Sequence, residues 1–122
     1  MYELEVRSGF SSAHRLNGYQ GDCSALHGHN WSVSVVVQAQ ELDAIGIAID
    51  FRELKERLAA VIAAFDHKYL NDLPEFQNVN PTSERLAKII FERLAAGVDR
   101  PGARVAKVGV MESDNTMATY FV

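Results

Sequence analysis

Two long stretches of alternation bound the folds open to this chain. In the first, Tyr2, Leu4, Val6, Phe10 and His14 fall on one face, with Glu3, Glu5 and Arg7 on the other. In the second, His27, His29, Trp31, Val33, Val35 and Val37 share a face, opposite Ser32, Ser34, Gln38 and Gln40. Side chains alternate along an extended backbone, so this period of two reads as a pair of half-buried strands. Gly9, inside the first, is expected to mark a bulge. Residues 15–26 contain Asn17, Gly18, Gly21 and Asp22 and read as a loop that carries Cys23.

The period then changes. Asp50 and Glu53 have the spacing of a capping box. Phe51, Leu54, Leu58, Val61, Ile62 and Phe65 follow at helical intervals. This spacing predicts a helix to about Phe65, with Asp66 and His67 at its C-terminal end. A connection over Asn71 to Asn80 contains Pro74. A second helix is predicted from Pro81 and Thr82, through Leu86, Ile90 and Leu94, to a stop at Gly97. Strands over about 104–112 and 116–122 close the chain around a turn at Ser113, Asp114 and Asn115.

The order is strand, strand, helix, helix, strand, strand. It predicts an α+β domain spanning residues 1–122, with both helices on one face of an antiparallel four-stranded sheet. The uncovered face and open edges then need cover, which self-association supplies.

With 122 residues there is enough chain for one modest core. Twelve Lys and Arg against sixteen Asp and Glu give a net charge of -4, with no basic stripe. Nucleic acid is therefore a poor expectation for a partner. No apolar run approaches the roughly 20 residues of a membrane span, and the opening residues lack the pattern of a secretory signal. The cytoplasm is the expected location.

His27 and His29 lie two apart on a strand and so point to the same face. His14 ends the preceding strand on its apolar face. If the strands are antiparallel neighbours, the three imidazoles converge. Three neutral imidazoles without a fourth protein ligand suit catalytic zinc, which keeps one coordination position open. A histidine pair at this spacing also arises by chance, but three of the chain's four histidines on apolar faces favour the metal.

Cys23 is the only cysteine, so no internal disulfide forms. Inert packing, intermolecular pairing and a working thiol are the readings open to it. Beside a cation it becomes a thiolate, able to act as base or nucleophile. As a fourth ligand it would instead close a structural zinc site, that of a non-catalytic or redox-sensing module. Asp66 and His67 read equally as a proton-relay pair or as a histidine set against a helix dipole. Glu112 ends the apolar face of Ala106, Val108 and Val110. Spacing alone favours a surface position for it, while in a pocket a carboxylate grips two parallel N–H groups. Glu84, beside Thr82, serves most simply at a helix N-terminus.

Taken together, Phe10-Ser-Ser-Ala-His14, Cys23-Ser-Ala-Leu-His27-Gly-His29, Asp50-Phe51, Asp66-His67-Lys-Tyr-Leu-Asn71, Asn80-Pro-Thr-Ser-Glu84 and Glu112-Ser113 resemble the 6-pyruvoyltetrahydropterin synthase superfamily in order and spacing. The likeness covers essentially the whole chain. Three residues between the cysteine and His-Gly-His resemble the 6-carboxytetrahydropterin synthase branch of queuosine biosynthesis. The pyruvoyl-forming branch typically has a longer gap.

This resemblance implies a T-fold, whose trimers close a β-barrel and pair into hexamers with sites between subunits. It implies zinc on His14, His27 and His29, proton transfer by Cys23, and a relay through His67 and Asp66. Glu112 would anchor the pterin ring, with Thr82 and Glu84 near it. Ser113 stands where the family often has threonine. The implied activity is that of a lyase acting on 7,8-dihydroneopterin triphosphate, releasing acetaldehyde and triphosphate. Arg15, Lys68 and Arg52 are candidates for triphosphate contact.

Overall fold

The computed structural model describes residues 1–21 and 24–122. Strand β1 spans Tyr2–His14 and β2 spans His27–Ala39. Helix α1 covers Phe51–Ile62, followed by a two-residue strand β3 at Lys68–Tyr69. Helix α2 covers Ser83–Val98, and β4 (Ala103–Ser113) and β5 (Thr116–Phe121) end the chain. The sheet has five strands in the order β3-β1-β2-β4-β5. The α+β class is as expected. The extra strand is β3, which pairs parallel to β1 through Ser12 and Ala13. Two residues are too few to carry an alternation, so no sequence pattern announces it.

One buried apolar cluster joins the sheet to the helices. Val6, Phe10, Trp31, Val33, Val35, Val37, Val105, Val108 and Val110 contribute from the strands. Leu54, Leu58 and Ile62 of α1 meet them, as do Leu86, Ile90 and Leu94 of α2. Leu54 and Leu58 have no exposed surface, so truncating either to alanine costs about 2–5 kcal/mol. Val36, on the opposite face, is also buried, beside a register shift between β2 and β4 at Val36/Val37.

The β1–β2 ladder runs without interruption from Tyr2↔Ala39 to His14↔His27, so Gly9 marks no bulge. A Cβ there would lie 2.7 Å from the Trp31 carbonyl oxygen. Glycine is needed for close approach of the two backbones.

Three helix-end expectations are corrected. Asp50 does cap α1, accepting from the Arg52 amide at 2.8 Å, but Glu53 does not reach back to it. Glu53 instead engages Arg57 and Arg100. Helix α1 stops at Ile62, and residues 63–67 turn back toward β1. Gly97 lies inside α2, whose cap is Asp99. A Cβ on Gly97 would meet the Arg57 guanidinium at 2.8 Å, so the glycine leaves room for that side chain.

None of the described helices is long and apolar enough to cross a membrane.

Candidate metal centre

Register builds the centre. The pairs Phe10↔Trp31, Ser12↔His29 and His14↔His27 stack successive residues of one sheet face at the far end of the β1–β2 hairpin. The three imidazoles therefore meet edge to face, with ring centroids 4.6, 5.2 and 4.8 Å apart. One ligand nitrogen from each lies within 4.8 Å of the other two. Trp31 forms the floor. Its ring stacks on Phe10 and meets His14 and His29 edge-on at 4.9 and 5.1 Å. Its indole N–H donates to the Ser12 carbonyl at 3.2 Å.

The hydrogen bonds fix which nitrogens face inward. His14 Nδ1 donates to the Pro81 carbonyl at 2.8 Å, and His27 Nδ1 donates to the Ala25 carbonyl at 2.7 Å. Each bond sets the tautomer that leaves Nε2 with a free lone pair. The Nε2 atoms of His14, His27 and His29 are all buried and have no hydrogen-bond partner among the described residues, the nearest approach being the Glu112 carboxylate at 3.4 Å from that of His29. Orphaned buried nitrogens are costly unless something satisfies them, and a shared metal ion satisfies all three. Burial also holds His14 and His29 below the ordinary imidazole pKa, against the opposing pull of Glu112. They stay neutral, as ligands must be.

Glu112 belongs to this site and not to the outer surface. One carboxylate oxygen lies 3.4 Å from His29 Nε2, and the other accepts from Ser83 Oγ at 2.8 Å. Ser83 is buried in the first turn of α2. It is the residue that sequence reasoning missed, because a serine at a helix start suggests only capping. Thr82 does that capping, accepting from the Arg85 amide at 3.2 Å. Glu84 is exposed in the same turn.

Asp66 and His67 touch each other. His67 Nδ1 lies 3.0 Å from one Asp66 oxygen, and the other oxygen accepts from the Ser11 amide at 2.9 Å. That amide, and then His67, hold the Asp66 carboxyl below its usual range. A helix would have pointed these side chains apart. His67 has φ 55°, a left-handed backbone, and its amide donates to the Ser11 carbonyl at 2.6 Å. His29 and His67 both border an open groove of about 550 Å³, along with Ser12, Gly28, Lys68 and Tyr69. Of the triphosphate candidates, Lys68 lines this groove, while Arg15 and Arg52 are exposed elsewhere on the chain. Cys23 lies outside the described residues.

Comparison with known proteins accords with this geometry. A Synechocystis protein named 6-carboxy-5,6,7,8-tetrahydropterin synthase is 37% identical over 127 residues, covering 99% of this chain and 94% of that protein. A Bacillus subtilis protein of the same name is 34% identical over 103 residues, covering 80% and 68%. The solved structure of Caenorhabditis elegans 6-pyruvoyl tetrahydropterin synthase superposes with a TM-score of 0.87 at 29% identity, covering 99% of this chain and 95% of that one. Residues 3–121 match the family described as PTPS, 6-pyruvoyl tetrahydropterin synthase, and the chain belongs to that family.

Proposed function

We propose that this chain, as one domain over residues 1–122, is a zinc-dependent 6-carboxytetrahydropterin synthase. It would convert 7,8-dihydroneopterin triphosphate and water to 6-carboxy-5,6,7,8-tetrahydropterin, acetaldehyde and triphosphate, on the route to queuosine. The observation that carries the reading is the set of three buried Nε2 atoms that converge with no hydrogen-bond partner among the described residues, two of them with Nδ1 held by backbone carbonyls.

His14, His27 and His29 would hold the ion, which when bound supplies a Lewis acid for the substrate's side-chain oxygens. Thiolate ligands favour tight closed sites, whereas an all-imidazole set with a vacancy suits zinc in catalysis. Glu112, fixed by Ser83, accepts the paired N–H groups of the pterin edge. Thr82 and Glu84 flank that anchor at the head of α2. Cys23 takes a proton from the substrate side chain. His67 exchanges one on the other side, with Asp66 keeping its Nδ1 protonated and its ring in place. Lys68, at the groove, is suited to the triphosphate. Assembly into hexamers from paired trimers, in the cytoplasm, would cover the open sheet edges and bring sites together between subunits.

Three residues separate Cys23 from His27, a spacing that resembles the carboxy-forming branch, and this resemblance favours carbon–carbon cleavage over the pyruvoyl-forming elimination. Incubation with 7,8-dihydroneopterin triphosphate and an assay for acetaldehyde tests this. Acetaldehyde in step with triphosphate supports the proposal, whereas a pyruvoyl product without acetaldehyde replaces it with the pyruvoyl-forming reaction. Cys23→Ala separates both from a structural zinc module. Retained zinc with lost turnover fits the enzyme, and lost zinc with a collapsed fold fits the module.

A further inference from the structure

Two asparagines clamp the chain where it leaves β1. Asn71 Oδ1 accepts from the Arg15 amide at 2.9 Å, and its Nδ2 donates to the Arg15 carbonyl at 3.0 Å. Asn80 Oδ1 accepts from the Asn17 amide at 2.9 Å, and its Nδ2 donates to the Asn17 carbonyl at 2.8 Å. Each side-chain amide thus imitates a strand neighbour, satisfying both backbone groups of one residue.

The second clamp stands at a crossroads. Pro81, next in the chain, supplies the carbonyl that holds His14 Nδ1 at 2.8 Å. The Asn80 carbonyl accepts from the Thr82 amide at 2.9 Å, and Thr82 caps α2. Ser83 then holds Glu112. One four-residue segment therefore orients a metal ligand through its second residue and the candidate ring anchor through its fourth. Its first residue ties it to the backbone three positions beyond His14. Asn71, inside the 3-10 turn at Leu70–Asp72, holds the backbone of Arg15 next to His14, but among the described residues neither of its chain neighbours hydrogen-bonds a histidine of the centre or Glu112.

We propose that Asn80 is a positioning residue for the metal centre, acting through the Pro81 carbonyl on His14 and through Ser83 on Glu112. This rests on reading the three histidines as metal ligands. Without the clamp, the Pro81 carbonyl is free to drift from His14 Nδ1, and loss of such an outer partner lowers metal affinity by about 10–100-fold.

The test is Co²⁺ binding to the full chain, followed by its visible absorption, for wild type, Asn80→Ala and Asn71→Ala. Steady-state turnover is measured alongside. The expected result is affinity about 10-fold or more weaker for Asn80→Ala, with altered Co²⁺ bands. Asn71→Ala, which frees the Arg15 backbone but leaves the Pro81 carbonyl and Ser83 in place, should weaken affinity far less and keep the wild-type bands. If both variants bind Co²⁺ as wild type does, or both weaken alike, the role of Asn80 is refuted while the metal centre stands. A wild-type chain that binds no Co²⁺ removes the metal centre itself. Should Asn80→Ala fail to fold, Asn80→Asp, which keeps the acceptor for the Asn17 amide and loses the donor, is judged by the same criteria.

Discussion

Ser83 Oγ lies 2.8 Å from Glu112 Oε1, bridging the first turn of α2 and the end of β4. The hydroxyl donates, the carboxylate accepts, and the second carboxylate oxygen is left beside His29. Glu112 is therefore aimed by a neighbour before any ligand arrives. Pre-aiming matters because a carboxylate that must be ordered on binding loses affinity to that ordering.

Ser83→Ala should leave the fold intact and loosen Glu112. A hydrogen bond to a charged group contributes about 1.5–3 kcal/mol when buried. Partial exposure of Glu112 reduces this to about 1 kcal/mol, or about fivefold in kcat/KM. Steady-state kinetics check it, with the loss expected mainly in KM. An unchanged KM would show that the Ser83 hydrogen bond does not aim Glu112 for substrate binding.

His27→Ala should abolish metal retention without unfolding the protein. The ring sits at the end of the β1–β2 hairpin and is not part of the buried cluster that holds Leu54, Leu58, Leu86 and Ile90. The same reasoning predicts that chelation stops turnover and that added Zn²⁺ restores it. Metal analysis after desalting, together with circular dichroism, reads both. Collapse of the fold on chelation would mark the ion as structural.

Much of the fold and part of the site were legible in the alternation. The faces of β1 and β2 follow from a period of two, and with an antiparallel register they place His14, His27 and His29 together. Chain breaks were less legible, because they depend on contacts remote in sequence. Phe65 continues the apolar period of α1 and is fully buried, yet α1 ends at Ile62. Burial of Phe65 and hydrogen bonds to Ser11 decide that turn, and the left-handed His67 follows from it. Glu112 read as a surface residue because its partner Ser83 is 29 positions away. Gly9 was visible as a special position, but only the partner strand shows that its constraint is the Trp31 carbonyl.

Gly9→Ala should destabilise the protein. The added methyl would sit 2.7 Å from a backbone oxygen that cannot swing aside, in the middle of a thirteen-pair ladder. Overpacking of this kind costs about 1–3 kcal/mol. The reduced freedom of the unfolded chain returns about 0.4–1 kcal/mol of that. A lower urea midpoint with an unchanged m-value is the expected observation, and a midpoint equal to wild type would contradict it.

The metal-free protein should lose stability as pH falls below about 6.5. Burial, above all, depresses His14 and His29 from the ordinary value of 6.5, while the Pro81 carbonyl and Glu112 only partly offset it. Unfolded, both imidazoles take up protons near 6.5; folded, they resist until lower pH. Between those points the unfolded state binds more protons, so stability rises with pH. The contribution is complete above 6.5 and is lost as pH falls through the folded values. Urea midpoints at pH 7.5 and 5.5, with metal removed, should differ more in wild type than in His14→Gln. Equal differences in the two proteins would mean that His14 does not resist protonation. Zn²⁺ shifts the balance further, since it binds only the neutral rings, and its stabilisation should fade over the same acid range.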